Sequence, residues 1–147
     1  MRLWTEPVGT NEDAVAAFAE VYTDPVCLNG ADVPLTDLVE RARALQRAFA
    51  DLSVEIIDEV EVPGRLVVVF LQRGRHAGPL ALPLGEVAPT GRAVEVRTID
   101  VLSITEGRIS KVHVVADNLG LAMQLGAVAP LRGASSGAPA AESAARR

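Results

Sequence analysis

Asp100, His113 and Asp117 are the residues of this chain whose types and spacing could do chemistry. They fall within Gly91 to Gly126, GRAVEVRTIDVLSITEGRISKVHVVADNLGLAMQLG. This segment reads as a β-hairpin running into a short helix. Glu106-Gly107 is the turn, since a two-residue loop with Gly second suits the tight turns joining antiparallel strands. If Thr105 faces Arg108, an unbroken register sets Asp100 opposite His113 and Val96 opposite Asp117. Side chains alternate at period two. Asp100, His113 and Asp117 then share a face with Val96, Thr98, Leu102, Ile104, Ile109 and Val115. Two carboxylates and an imidazole on an apolar face are costly unless paired or used. The expectation is a pocket with acid/base chemistry.

Each of these residues also has a bland use. Asp117 precedes a helix, where Asp is a favoured N-cap. A capping carboxylate is held ionised and makes a poor base. Asp is disfavoured in the middle of a strand, so Asp100 calls for a partner, and a cross-strand ion pair with His113 would supply one. The same pair would serve catalysis, because a carboxylate orients an imidazole. His76 ends a strand beside a Gly-rich loop, where it is either solvated or a hydrogen-bond donor to a substrate carbonyl. Tyr22 packs against the first helix and could reach the cavity with its hydroxyl. Phe70 lies on a strand face directed at the same space, and Trp4 could cover its mouth.

The elements that must position these groups are legible. Thr10 and Asp13 form a capping box for an Ala-rich helix to about Tyr22. Asp24-Pro25 ends it. Thr36 is the expected N-cap of a second helix to about Ala50, with Leu38, Leu45 and Phe49 on its apolar side. From Val54 the pattern turns to β, and Pro63-Gly64 separates two strands. The second runs from Arg65 to about His76. Residues 77–90, AGPLALPLGEVAPT, read as a loop over a mouth. The hairpin and a helix over about Asn118 to Leu125 follow. The expected domain covers 1–128, and residues 129–147 read as a disordered tail rich in small residues. The order implies an α+β fold with helices on one face of a curved antiparallel sheet.

Composition narrows the function classes. A chain of 147 residues with 49% apolar and 22% charged residues suits one globular domain. With only 3% aromatics, its core should be aliphatic. The net charge of -5 and the lack of a basic stripe argue against a nucleic-acid partner. The single Cys27 excludes an internal disulfide and a CxxC metal site. No signal core and no membrane-length apolar run is present, so a cytoplasmic protein is expected. No nucleotide-binding or zincin motif points to a cofactor or a metal.

Four segments carry a family resemblance in order: TDPVCLNG, GRHAGPL, APTGRAVEVRTIDVL and EGRISKVHVVADNLGLAMQLG. Together they resemble SnoaL-like polyketide cyclases, within the nuclear transport factor 2-like superfamily. The family usually has Trp where this chain has His113. The resemblance implies a cone-shaped fold around a pocket. It also implies a general acid/base at Asp117 that drives an intramolecular aldol closure without metal or cofactor. VRTIDVLSITEGRI is similar to ketosteroid isomerases of the superfamily, in which the Asp matching Asp100 donates to an oxyanion. Limonene epoxide hydrolases of the superfamily use an Asp-Arg-Asp set. Here Arg97 and Asp100 fall on opposite faces of an unbroken strand, which argues against that chemistry.

The expected function is therefore acid/base catalysis on a hydrophobic, carbonyl-bearing small molecule. Asp117 would act as base, with His113, Asp100 and His76 around the enolate oxygen. Tyr22, Phe70, Val96, Thr98 and Val115 would line the substrate site. The alternatives are a non-catalytic binding protein, an isomerase or epoxide hydrolase of the superfamily, and an interaction module. Ile99, Val101, Val112 and Val114 form the opposite face in this register. They imply a homodimer through the sheet.

Overall fold

Thr10 opens the first long helix as its side chain requires. In the computed structural model, which describes residues 2–83 and 85–129, Thr10 Oγ1 accepts from the Asp13 backbone N–H at 3.2 Å. Asp13 Oδ2 in turn accepts from the Thr10 N–H at 2.8 Å. Helix α2 (Asn11–Val21) buries Ala14 and Phe18. It is preceded by a one-turn helix, α1 (Arg2–Thr5), and followed by strand β1 (Tyr22–Leu28), neither of which the local pattern announces. Strand β2 (Ala31–Val33) leads into helix α3 (Leu35–Ala48). The N-cap position of α3 is Pro34, not Thr36. The first N–H of α3, that of Leu35, is satisfied from a distance by Asp24 Oδ1 at 3.1 Å.

Strand β3 (Phe49–Val62) begins five residues before the expected Val54, and β4 (Arg65–His76) matches expectation. The Pro- and Gly-rich segment contains a small hairpin, β5 (Leu80–Leu82) and β6 (Gly85–Val87). Then come β7 (Ala93–Thr105), β8 (Arg108–Ala116) and helix α4 (Asn118–Leu125). Gly126 closes α4 in the left-handed region, at φ 76°. Among the described residues the main sheet has the order β2-β1-β8-β7-β4-β3. The β1–β8 pairing is parallel, so the sheet is mixed and not purely antiparallel. The fold is α+β. The expected tail, apart from Ala129, lies outside the described residues.

The turn at Glu106-Gly107 forms as expected, with both residues at positive φ and Thr105 opposite Arg108. The register does not continue unbroken. Ile104 pairs with Ile109, but Ser103 pairs with Lys111, so Ser110 is an extra residue in β8. Its hydroxyl lies 2.9 Å from Thr105 Oγ1 and donates to the Ser103 carbonyl at 3.3 Å. A one-residue bulge turns every later side chain of that strand to the other face. Asp100 therefore faces Val114, and His113 faces Val101. The expected Asp100–His113 pairing does not form. One signal of the bulge was present in the sequence. An unbroken register would also have put Lys111 on the apolar face.

The concave face, covered by helices, carries Val94, Val96, Thr98, Asp100 and Leu102 from β7 and Val68, Phe70 and His76 from β4. Val112 and Val114 of β8 join them, against the expectation that placed them outside. Two apolar clusters form there. One joins α2 and α3 to Tyr22, Val26, Leu102 and Val112. The other joins Ala48 and Phe49 to Val94, Val96, Leu121 and Leu125. Val68 and Phe70, both buried, belong to neither and mark the seam between them. The convex face carries Ile99 and Val115, which are 42% and 72% exposed.

Deleting Ser110 should remove the bulge and leave Val112 opposite Leu102 and Val114 opposite Asp100, because the pairing beyond the bulge already skips that residue. The expected cost is about 1 kcal/mol, the hydrogen bonds of the Ser110 hydroxyl. Ser110→Ala, which loses the same hydroxyl, should cost a similar amount, about 1 kcal/mol. Urea denaturation of both variants checks the two costs.

Candidate functional site

Asp100 sits at the seam. Its neighbour on β4 is Val68, and its neighbour on β8 is Val114. Its Oδ1 is buried without a hydrogen-bond partner. An unpaired carboxylate in apolar surroundings favours the neutral form. Burial accordingly pushes the Asp100 carboxyl up to about 6. A carboxyl tuned to that range can both take and return a proton near neutral pH.

Tyr22 is the polar group that the fold brings toward Asp100. Burial raises its hydroxyl pKa above the ordinary value, a hydrogen bond from Trp4 opposes this, and the Asp100 charge adds to the rise. Tyr22 therefore stays a neutral donor. Trp4 Nε1 donates to Tyr22 Oη at 3.0 Å. Phe18 stacks on Tyr22 with ring centroids 5.7 Å apart, and Trp4 meets Phe18 edge-on at 5.9 Å. The sequence offered no local signal for this trio, because its members come from α1, α2 and the start of β1.

His76 is fully buried on the same face. Its Nδ1 accepts from the Thr90 N–H at 3.2 Å and lies 3.0 Å from Thr90 Oγ1. That leaves the proton on Nε2, which has no partner. Two backbone bonds, from His76 N–H to the Arg92 carbonyl and from Gly91 N–H to the His76 carbonyl, fasten the same point. His76 thus pins the end of the segment that carries β5 and β6. It stands eight residues along β4 from Val68, the neighbour of Asp100. That is up to roughly 26 Å of strand, so His76 and Asp100 do not form one cluster.

The other expected site residues divide cleanly. Tyr22, Phe70, Val96 and Thr98 are buried on the concave side. His113 and Val115 point to the convex side because of the Ser110 bulge. Asp117 is exposed and caps α4, accepting from the Gly120 N–H at 2.8 Å. The expected grouping of Asp100, His113 and Asp117 in one cavity is therefore not what the fold builds. Arg97 also lies on the convex face, where its carbonyl accepts from the Asp117 N–H at 3.1 Å. An open depression of about 480 Å³ there is lined by Arg97, Ile99, Val115 and Asp117. A second, of about 530 Å³, is lined by Arg73, Arg75, Glu95 and Gln124. Neither includes Asp100, Tyr22 or His76. Among the described residues no three His, Cys, Asp or Glu side chains converge as a metal site would need. No helix among them is long and apolar enough to cross a membrane.

Comparison with known proteins fits this architecture. The profile of the SnoaL-like polyketide cyclases matches residues 2–125. The chain belongs to the SnoaL-like polyketide cyclase family. Its fold is that of the nuclear transport factor 2-like superfamily. TsrD from Streptomyces laurentii is similar at 24% identity and a TM-score of 0.69, over 80% of this chain and 87% of that one. AclR from Streptomyces galilaeus is similar at 21% identity and a TM-score of 0.66, over 80% and 86%. A SnoaL-like polyketide cyclase from Agrobacterium tumefaciens is similar at 19% identity and a TM-score of 0.65, over 78% and 87%. Among functionally curated proteins, no sequence matches. The QLG that closes α4 has a structural use in this chain. Gln124 Nε2 donates to the Glu95 carbonyl and its Oε1 accepts from the Glu95 N–H, both at 2.8 Å, which docks α4 on β7.

Asp117→Asn should leave stability unchanged, and Asp117→Ala should cost about 1 kcal/mol through the lost cap. Asp100 gives the opposite kind of signature. Its folded pKa, about 6, lies above the ordinary 3.8, so its stabilising contribution is complete below that lower value and is lost as pH rises through 6. Asp100→Asn should therefore stabilise the protein at pH 8 and not at pH 4. After allowance for solvent screening of a half-buried carboxyl, the gain is on the order of 1 kcal/mol. Denaturation midpoints at the two pH values test both residues.

Proposed function

We propose that this protein catalyses acid/base chemistry on a hydrophobic, carbonyl-bearing small molecule, as a polyketide-cyclase-type intramolecular aldol closure. The observation that carries this reading is the buried, unpartnered carboxylate oxygen of Asp100 at the seam between the two apolar clusters. An uncompensated buried carboxyl destabilises a fold, and such groups concentrate at functional sites. In this scheme Asp100, not Asp117, removes the proton beside the carbonyl. The Tyr22 hydroxyl donates to the developing enolate oxygen. The enolate carbon then attacks the second carbonyl, and Asp100 returns the proton to the new alkoxide. Val68, Phe70 and Thr98 flank the reacting carbons, and Val96 and His76 lie farther along the face. No cofactor enters the scheme.

A second reading, non-catalytic ligand binding, has one observation in its favour. The carboxylate at the family's acid/base position, Asp117, is used as a helix cap. One experiment separates the two readings. The protein is incubated with a poly-β-ketone ester in D₂O, and α-carbon deuteration and ring-closed isomer are followed by mass spectrometry and chromatography. Catalysis predicts both products. It also predicts their loss by at least a hundredfold in Asp100→Asn, a typical general-base effect, and near-normal rates in Asp117→Asn. Ketone binding without deuteration would establish the binding-protein reading. Loss of turnover in Asp117→Asn alone would return the base to that position.

We also propose a homodimer through the convex face. The exposed Ile99 and Val115 beside Val101 support it. Val115→Glu or Ile99→Glu should shift sedimentation from dimer to monomer. A monomeric unmodified chain at micromolar concentration would refute the assignment.

A further inference from the structure

Three further features stand out by their chemistry: the orphaned Nε2 of His76, the open depressions of the convex face, and the Trp4–Tyr22 hydrogen bond. The first is enclosed by protein and pins a loop. The second coincides with the proposed dimer face. The third places a donor from the N-terminal segment directly on the proposed machinery.

We propose that Trp4 is a positioning residue, whose indole N–H holds and polarises the Tyr22 hydroxyl so that the tyrosyl proton is presented to the Asp100 end of the concave face. This rests on the reading of Asp100 and Tyr22 given above.

An indole N–H only donates, so the Tyr22 oxygen must accept the bond from Trp4. The Tyr22 hydrogen cannot point back at Trp4, and it stays available to a second acceptor. A hydroxyl that accepts one bond becomes a better donor in the next. Trp4 is itself held in place. Gln46 Nε2 of α3 donates to the Leu3 carbonyl at 3.3 Å and the Glu6 carbonyl at 3.1 Å, which docks the backbone on both sides of Trp4. The indole meets Phe18 edge-on, and Phe18 stacks on Tyr22, so the ring planes are set by packing before any ligand arrives. The N-terminal segment is thus a working wall of the site.

The chain holds one Trp and one Tyr, which makes both partners directly observable. Tyrosinate absorbance reports Tyr22 alone, and a single indole N–H resonance reports Trp4. Trp4→Phe keeps an aromatic cover and removes the donor. It should shift the Tyr22 titration upward, because the bond from Trp4 opposes the rise caused by burial. The phenolate probe 4-nitrophenolate, an oxyanion mimic, should bind the Trp4→Phe variant about tenfold more weakly, the loss of roughly one polarised hydrogen bond. Tyr22→Phe should weaken the probe as well. In that background Trp4→Phe should cost nothing more, because Trp4 acts through Tyr22. Additive losses, or an unmoved Tyr22 titration, would overturn the proposal. If either variant fails to fold, the unmodified chain still decides. Its indole N–H must exchange slowly with solvent, and exchange at the rate of free indole would refute the bond. If 4-nitrophenolate fails to bind the unmodified chain while the titration shifts as expected, the oxyanion site falls and the Trp4–Tyr22 coupling stands.

Discussion

One extra residue in one strand decides what this protein can do. Ser110 bulges out of β8 just after a tight turn, and its hydroxyl holds the bulge through Thr105 and Ser103. Strand side chains alternate, so the bulge reverses the face of each residue that follows. Val112 and Val114 turn inward and complete the core, and His113 and Val115 turn outward. Asp100, on the partner strand, loses the imidazole that an unbroken register would have set against it. It is left between Val68 and Val114. The bulge that makes the core apolar also creates the unpaired carboxyl.

Burial of that carboxyl is tolerated because the surrounding fold is fastened elsewhere. Side-chain amides extend the sheet where backbone partners run out. Asn29 exchanges two bonds with the backbone of Val114, at 2.9 and 3.2 Å. Gln124 does the same for Glu95, at 2.8 Å each. Each amide imitates a strand neighbour, with one donor and one acceptor at ladder spacing. The first ties the end of β1 to β8, and the second ties α4 to β7. Together with the His76–Thr90 contact, they hold the rim while the seam between the clusters keeps a polar group without a partner.

The seam also explains why the proposed chemistry is placed on the concave face. The convex face has more charges, but they are exposed and several are matched. Arg73 bridges Glu55 and Glu95, and Arg75 meets Asp51. Exposed pairs of this kind contribute little to stability, because water screens them. Asp100 and Tyr22 lie where screening is weak, so burial raises the proton affinity of both and the Asp100 charge adds to the rise at Tyr22.

The sequence by itself determined the local elements. The Thr10 capping box, the Glu106-Gly107 turn and the Asp117 cap each depend on residues within a few positions of one another, and all appear as read. So did the alternation of β4 and β7, which put Phe70, Val96, Thr98 and Asp100 on one face. The family was legible from four ordered segments. The parallel pairing of β1 with β8 was not, because its partners are more than eighty residues apart and TDPVCLNG has the composition of a loop. The capping of α3 by Asp24, eleven residues before the N–H it accepts from, was hidden because Thr36 was the nearer candidate. The Ser110 bulge left one trace, a Lys on an apolar face. Only the tertiary structure decided which face β8 shows, because a strand's phase is set by packing against its neighbours. It alone brought Trp4 to Tyr22 and Tyr22 toward Asp100. A carboxyl's proton affinity is a property of its surroundings, and those are assembled from separate strands of the fold.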